Sequence, residues 1–139
     1  MIAPDAPAEK RGSAVSRASL LAYMLLIIYA SWFPFSGWRG SGLSPFIFLN
    51  TTMPQYWTGF DVVVNIIGYI PLGMLFALAV YPRVHGIWAI LVASILGVLV
   101  SGTMEAVQTY LPSRVPSNLD FFTNSAGGVV GAIIGAFGA

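Results

Sequence analysis

Five acidic side chains occur in the chain, and three of them, Asp61, Glu105 and Asp120, fall within or at the edge of long apolar runs. A charge at the centre of a membrane helix costs about 2.5–3.5 kcal/mol on insertion scales, so such residues usually face a bundle interior and mark function. Asn65, Gln108 and Asn124 add amides that could bond a polar head group, and Arg114 adds a cation suited to phosphate. The same carboxylates beside a guanidinium could supply a general base and an electrostatic clamp, and Glu105, Asp120 and Asp61 are the candidates for such catalysis. Against catalysis, there is no Ser or Cys nucleophile motif. The one histidine, His85, follows Arg83 in a short turn with no second ligand near it. Binding is therefore the favoured chemistry, with Asp61, Asn65, Glu105, Gln108, Arg114, Asp120 and Asn124 as the binding residues. Two carboxylates could hold a divalent ion through oxygens, but no metal centre or cofactor is expected.

The spacing of these residues repeats. Asp61-x3-Asn65-x2-Gly68 recurs as Asp120-x3-Asn124-x2-Gly127. At the helical period, Asp120, Asn124, Gly127, Gly131 and Gly135 fall within about 80° of arc. Ser94, Gly97, Ser101, Glu105 and Gln108 form a second such stripe. Asp61, Asn65 and Gly68 form a third, with Pro71 nearby to kink its helix. Gly127, Gly131 and Gly135 make a doubled small-xxx-small pattern and are expected to pack helix against helix. Plainer roles are open to the same residues: the aspartates as helix N-caps and the asparagines as interhelical hydrogen-bonding groups.

The elements that must position these stripes follow from composition. Of 139 residues 57% are hydrophobic and 8% are charged, against about 25% charged in a soluble domain, so lipid must be the solvent. Apolar runs cover 18–35, 62–81, 87–111 and 119–139. A run of about 20 residues gives about 30 Å of helix, enough to cross a bilayer. The first run is read as a retained helix rather than a signal peptide, because aromatic residues follow it where small ones would mark cleavage. Residues 1–17 are expected to be a disordered leader, and 36–60 a Gly-, Pro- and aromatic-rich loop in the headgroup layer. The absence of cysteine excludes disulfides and thiolate sites, and six scattered Lys and Arg give no patch for nucleic acid. The chain stops at Ala139 without a polar flank, as a fragment of a longer protein would.

These readings give an all-α integral membrane protein of four transmembrane helices, arranged as two parallel-repeated helical hairpins. Lys10, Arg11, Arg17 and Arg83 against Arg39 and Arg114 favour a cytoplasmic N-terminus. The polar ends of spans two, three and four then meet on the outer side as a pocket between three helices. Glu105 is expected about 10 Å below the end of its helix, with Arg114 as its charge partner.

This ordered set resembles the VanZ-like family of small bacterial membrane proteins. The resemblance rests on the two repeat motifs, Pro71-Leu72-Gly73, Glu105-x2-Gln108, Arg114 and Phe33-Pro34-Phe35, and covers residues 18–139. One departure is 115–118, where a more regular short turn is expected. The resemblance implies a multi-pass protein of the bacterial inner membrane acting in the cell envelope, in a family associated with low-level resistance to teicoplanin, a lipid-tailed glycopeptide antibiotic. Its expected partners are membrane lipids, a lipid-linked glycan precursor or a lipoglycopeptide. No nucleic acid is expected, and oligomers are open. The competing readings are an intramembrane enzyme acting on a lipid headgroup and a small transporter subunit using Glu105 as a protonatable site.

Overall fold

The four apolar runs form four helices: α1 Ala8–Trp32, α2 Gly59–Val80, α3 Gly86–Gln108 and α4 Asn118–Gly138. The computed structural model describes residues 8–40, 42–54 and 57–139, with side chains from residue 14 onward. Among the described residues there is no strand, and all four helices are long and apolar enough to cross a membrane, α1 through Ala14–Trp32. α1 begins at Ala8, so residues 8–17, expected in the leader, are part of the helix. Ala, Glu, Lys and Arg in this stretch are strong helix formers and prolong the apolar helix at little cost. Residues 1–7 lie outside the described residues.

Local chemistry sets the helix ends. Thr58 caps α2 reciprocally: its Oγ1 accepts the Asp61 N–H at 3.1 Å, and the Thr58 N–H donates to Asp61 Oδ2 at 3.0 Å. Ser117 caps α4, accepting the Asp120 N–H at 3.3 Å. The third helix ends at Gln108, short of the expected 111. Its backbone tightens there into turns in which the N–H groups of Thr109, Tyr110 and Leu111 donate to Ala106, Val107 and Gln108. Glu105 therefore sits in the last turn of α3, not about 10 Å below the helix end. α2 continues as one helix through Pro71.

Packing centres on α2 and α4, which run parallel with Ile66, Ile70 and Met74 of α2 against Gly127, Gly131 and Gly135 of α4. A Cβ at Gly127 or Gly131 would overlap the carbonyl oxygen of Ile66 or Ile70, and one at Gly135 would lie 2.7 Å from the Met74 carbonyl oxygen. Gly73 meets Gly128 and Ala132 from the other side just as tightly. Hydrocarbon gives no hydrophobic drive for helices to associate, so close backbone approach is the available source of attraction. α3 joins through Gly97 against Gly128 and through buried Ala93, Ala77 and Ala132. α1 lies outermost, seated through Ile27 on Tyr69, Leu72 and Met104, and only 6% of its membrane-crossing window is buried.

The described parts of the connection between α1 and α2, residues 33–40, 42–54 and 57–58, fold back over the ends of α3 and α4. Within it, a short 3-10 turn at Ile47–Leu49 inserts Phe48, 1% exposed, against Phe121 with ring centroids 5.5 Å apart. Asn118 Nδ2 donates to the Thr51 carbonyl at 2.9 Å, and the Arg39 N–H donates to the Tyr110 carbonyl at 3.0 Å. Trp38, Phe46, Leu49, Trp57 and Phe60 are left exposed, the kind of side chain that gathers at a membrane interface.

Candidate functional site

At the end of the bundle where α1 and α3 finish and α2 and α4 begin, a cavity of about 320 Å³ lies between α1 and the other three helices. Asn65, Glu105, Gln108, Arg114, Asp120 and Asn124 all line it. Asp61 does not: its carboxylate closes the Thr58 cap and faces a second cavity. The fourth wall, Tyr23, Leu26, Ile27, Ala30 and Ser31, comes from α1, so the pocket involves four helices rather than three.

Each polar group has a defined setting. Glu105, 2% exposed, accepts the Ser117 N–H on Oε2 at 2.8 Å. Arg114 does not supply the expected ion pair; its Nε donates to the Phe33 carbonyl at 2.9 Å. The reason is the supply of acceptors at the end of α1, whose last carbonyls lack helical partners. Gln108 Nε2 takes the Ser31 carbonyl at 2.9 Å in the same way. Asn65 bridges α2 to α4, donating through Nδ2 to Asp120 Oδ1 at 2.9 Å and to Thr123 Oγ1 at 3.2 Å. Asn124 is 7% exposed and lines the cavity, with no side-chain hydrogen bond among the described residues.

Tyr23 forms the deep wall, its hydroxyl donating to the Gly68 carbonyl and joining α1 to α2. The Tyr69 hydroxyl is buried beside it without a partner among the described residues. Ser101 donates to the Phe121 carbonyl at 3.2 Å. Toward the bilayer, the cavity rim is Leu26 on α1 and Val64 on α2, 57% and 47% exposed.

Sequence reasoning missed Thr58, Ser117, Thr123 and the α1 wall. The caps carry a readable signal, Thr or Ser three residues before an acid at the head of an apolar run. Thr123 had no such flag, and α1 has no polar stripe to distinguish Tyr23. His85 is exposed at the N-cap of α3 and makes no side-chain cap bond. No group of three or more metal-ligating side chains occurs among the described residues.

Fold and site together define a multi-pass, four-helix membrane protein with a polar cavity inside its bundle. The VanZ/LLP1 family profile matches residues 20–137, all but the two ends of the helical region, and the chain belongs to that family. No curated protein and no solved structure matches it.

Proposed function

We propose that the chain binds an amphiphile, a lipid, lipid-linked precursor or lipid-tailed glycopeptide, whose polar head occupies the cavity between α1 and the other helices. The observation that carries this reading is the composition of that cavity. Six polar or charged groups from three helices and a turn converge in it, while its bilayer-side rim is the exposed pair Leu26 and Val64. An amphiphile has that division of chemistry. The head would meet Gln108, Asn124 and the terminal nitrogens of Arg114, which suit phosphate or carboxylate, and the tail would stay in lipid. α1 is the least anchored helix, so access between α1 and α2 disturbs little of the packing.

The excess of Lys and Arg favours, by the positive-inside rule, a cytoplasmic N-terminus and 81–85 turn, with the cavity end on the outer face of a bacterial inner membrane. Action in the cell envelope, and teicoplanin-type resistance as one outcome, are consistent with that orientation.

Native mass spectrometry with lipidomics, on wild type and on Asn124→Leu, tests the reading. The substitution removes a cavity amide without breaking a hydrogen bond to the protein. Wild type is expected to carry one enriched lipid species that the variant loses at unchanged thermal stability. A cavity empty in every preparation, or the same bulk phospholipid on both proteins, would sink the reading.

A further inference from the structure

A second cavity, of about 520 Å³, opens between residues 51–54 and 57–60 on one side and the 115–120 turn on the other. It shares Val64, Asn65 and Asp120 with the first, so the Asn65–Asp120 hydrogen bond stands between them. Its charge is one-sided: among the described residues lining it, Asp61 and Asp120 are the only charged ones.

Its hydrogen-bonding capacity is also one-sided. Asp61 uses Oδ2 on the Thr58 N–H and Asp120 uses Oδ1 on Asn65, leaving each carboxylate one oxygen with no protein donor among the described residues. Asn118, 9% exposed and lining the cavity, holds Thr51 through Nδ2 while its Oδ1 is buried with no partner among the described residues. A buried acceptor left without a donor is costly, and a donor-bearing occupant would recover that cost. Trp57, Phe60 and Val115 also line it.

We propose that this second cavity binds an organic ammonium group, its N–H or polarised C–H bonds directed at Asp61, Asp120 and the Asn118 carbonyl oxygen, and its carbon substituents against Trp57 and Phe60. Two carboxylates supply the countercharge, and aromatic faces attract cations through their quadrupoles. A divalent ion is the poorer occupant. It needs six or more oxygens at about 2.0–2.6 Å, whereas this space is wide, contains two acids and is half walled by hydrocarbon. The group can come from a lipid headgroup such as ethanolamine or from a soluble amine. The site stands apart from the amphiphile reading, because none of its features involves Arg114, Gln108 or α1.

The test uses the full chain in nanodiscs of phosphatidylglycerol, which carries no amine, titrated calorimetrically with four probes: dihexanoyl phosphatidylethanolamine, dihexanoyl phosphatidylglycerol, ethylammonium chloride and calcium chloride. Saturable binding of either amine, with none of the short phosphatidylglycerol, is expected. Ethanolamine lipid alone would name a headgroup as the source, and ethylammonium alone would name a soluble amine. Asp61→Asn, whose carbonyl can still accept the Thr58 N–H and so keep the cap, is expected to weaken amine binding about tenfold. Trp57→Ala, on an exposed wall outside every helix, is expected to weaken it several-fold with helicity unchanged. Binding of calcium without the amines, equal binding of both short lipids, no amine binding, or full affinity in both variants would each overturn the proposal.

Discussion

Glu105 accepts the backbone N–H of Ser117 at 2.8 Å, and in doing so takes the place that Asp61 holds in the cap of α2. Both motif copies begin alike, with a Thr or Ser hydroxyl accepting the N–H of the aspartate three residues on. In α2 the aspartate returns the bond. In α4 the returning acceptor comes from α3 instead, which frees Asp120 to hold Asn65 across the bundle. One substitution of partners thus ties three helices together and leaves a carboxylate between the two cavities.

Removal of the Glu105 carboxylate should therefore expose a buried N–H. Glu105→Ala is expected to lower unfolding stability by about 1–3 kcal/mol, read by thermal or denaturant unfolding in detergent. Glu105→Gln keeps an acceptor oxygen and should recover most of that loss. Equal losses in the two variants would show that charge, not the hydrogen bond, is what Ser117 requires.

Asn65 and Asp120 can be apportioned by a double-mutant cycle of Asn65→Ala and Asp120→Ala. Interhelical hydrogen bonds in bilayers average about 0.6 kcal/mol and reach about 1.7. A coupling energy in the upper half of that range is expected, because the acceptor is a carboxylate; the Asn65–Thr123 bond cancels in the cycle. A coupling near zero would mean that the observed bond adds nothing beyond proximity.

The glycine stripe separates by position. Gly127→Ala and Gly131→Ala would force a methyl into the carbonyl oxygens of Ile66 and Ile70, and Gly73→Ala into Gly128. Each is expected to cost about 1–3 kcal/mol or more by overpacking, seen as lost yield and a lower melting temperature. Gly68→Ala meets nothing within 4 Å and lines the first cavity. It should leave stability nearly unchanged, and if all four variants behave alike the α2–α4 contact is not what holds the bundle.

The apolar runs made the four helices legible, because a membrane span must be long and nearly uncharged. The polar stripes made five of the seven binding candidates legible as neighbours, since lone polar groups in lipid must converge, and Arg114 joins them from the turn before α4. Partners within the cluster were less visible. Arg114 looked like a mate for Glu105 by charge and proximity, yet backbone groups at helix ends outcompeted it: the Ser117 N–H for the glutamate, the Phe33 carbonyl for the arginine. Helix termini generate such orphan donors and acceptors, and their positions depend on where each helix stops. A boundary error of three residues, as at the end of α3, is enough to misassign them. The α1 wall was invisible for a different reason: a helix that lipid solvates on most sides carries no strong periodic pattern.

Orientation decides which side of the membrane both cavities serve. The protein has no native cysteine, so single cysteines report cleanly. Val115, 82% exposed in the turn before α4, and His85, exposed at the start of α3, lie at opposite ends of the bundle. In intact spheroplasts a membrane-impermeant maleimide is expected to label Val115→Cys, and to reach His85→Cys only after lysis. The charge asymmetry of Lys10, Arg11, Arg17 and Arg83 drives that expectation. Labelling in the reverse order would turn the cavities toward the cytoplasm. An envelope ligand presented from outside would then be excluded, while the hydrogen-bond geometry inside the bundle would stand unchanged.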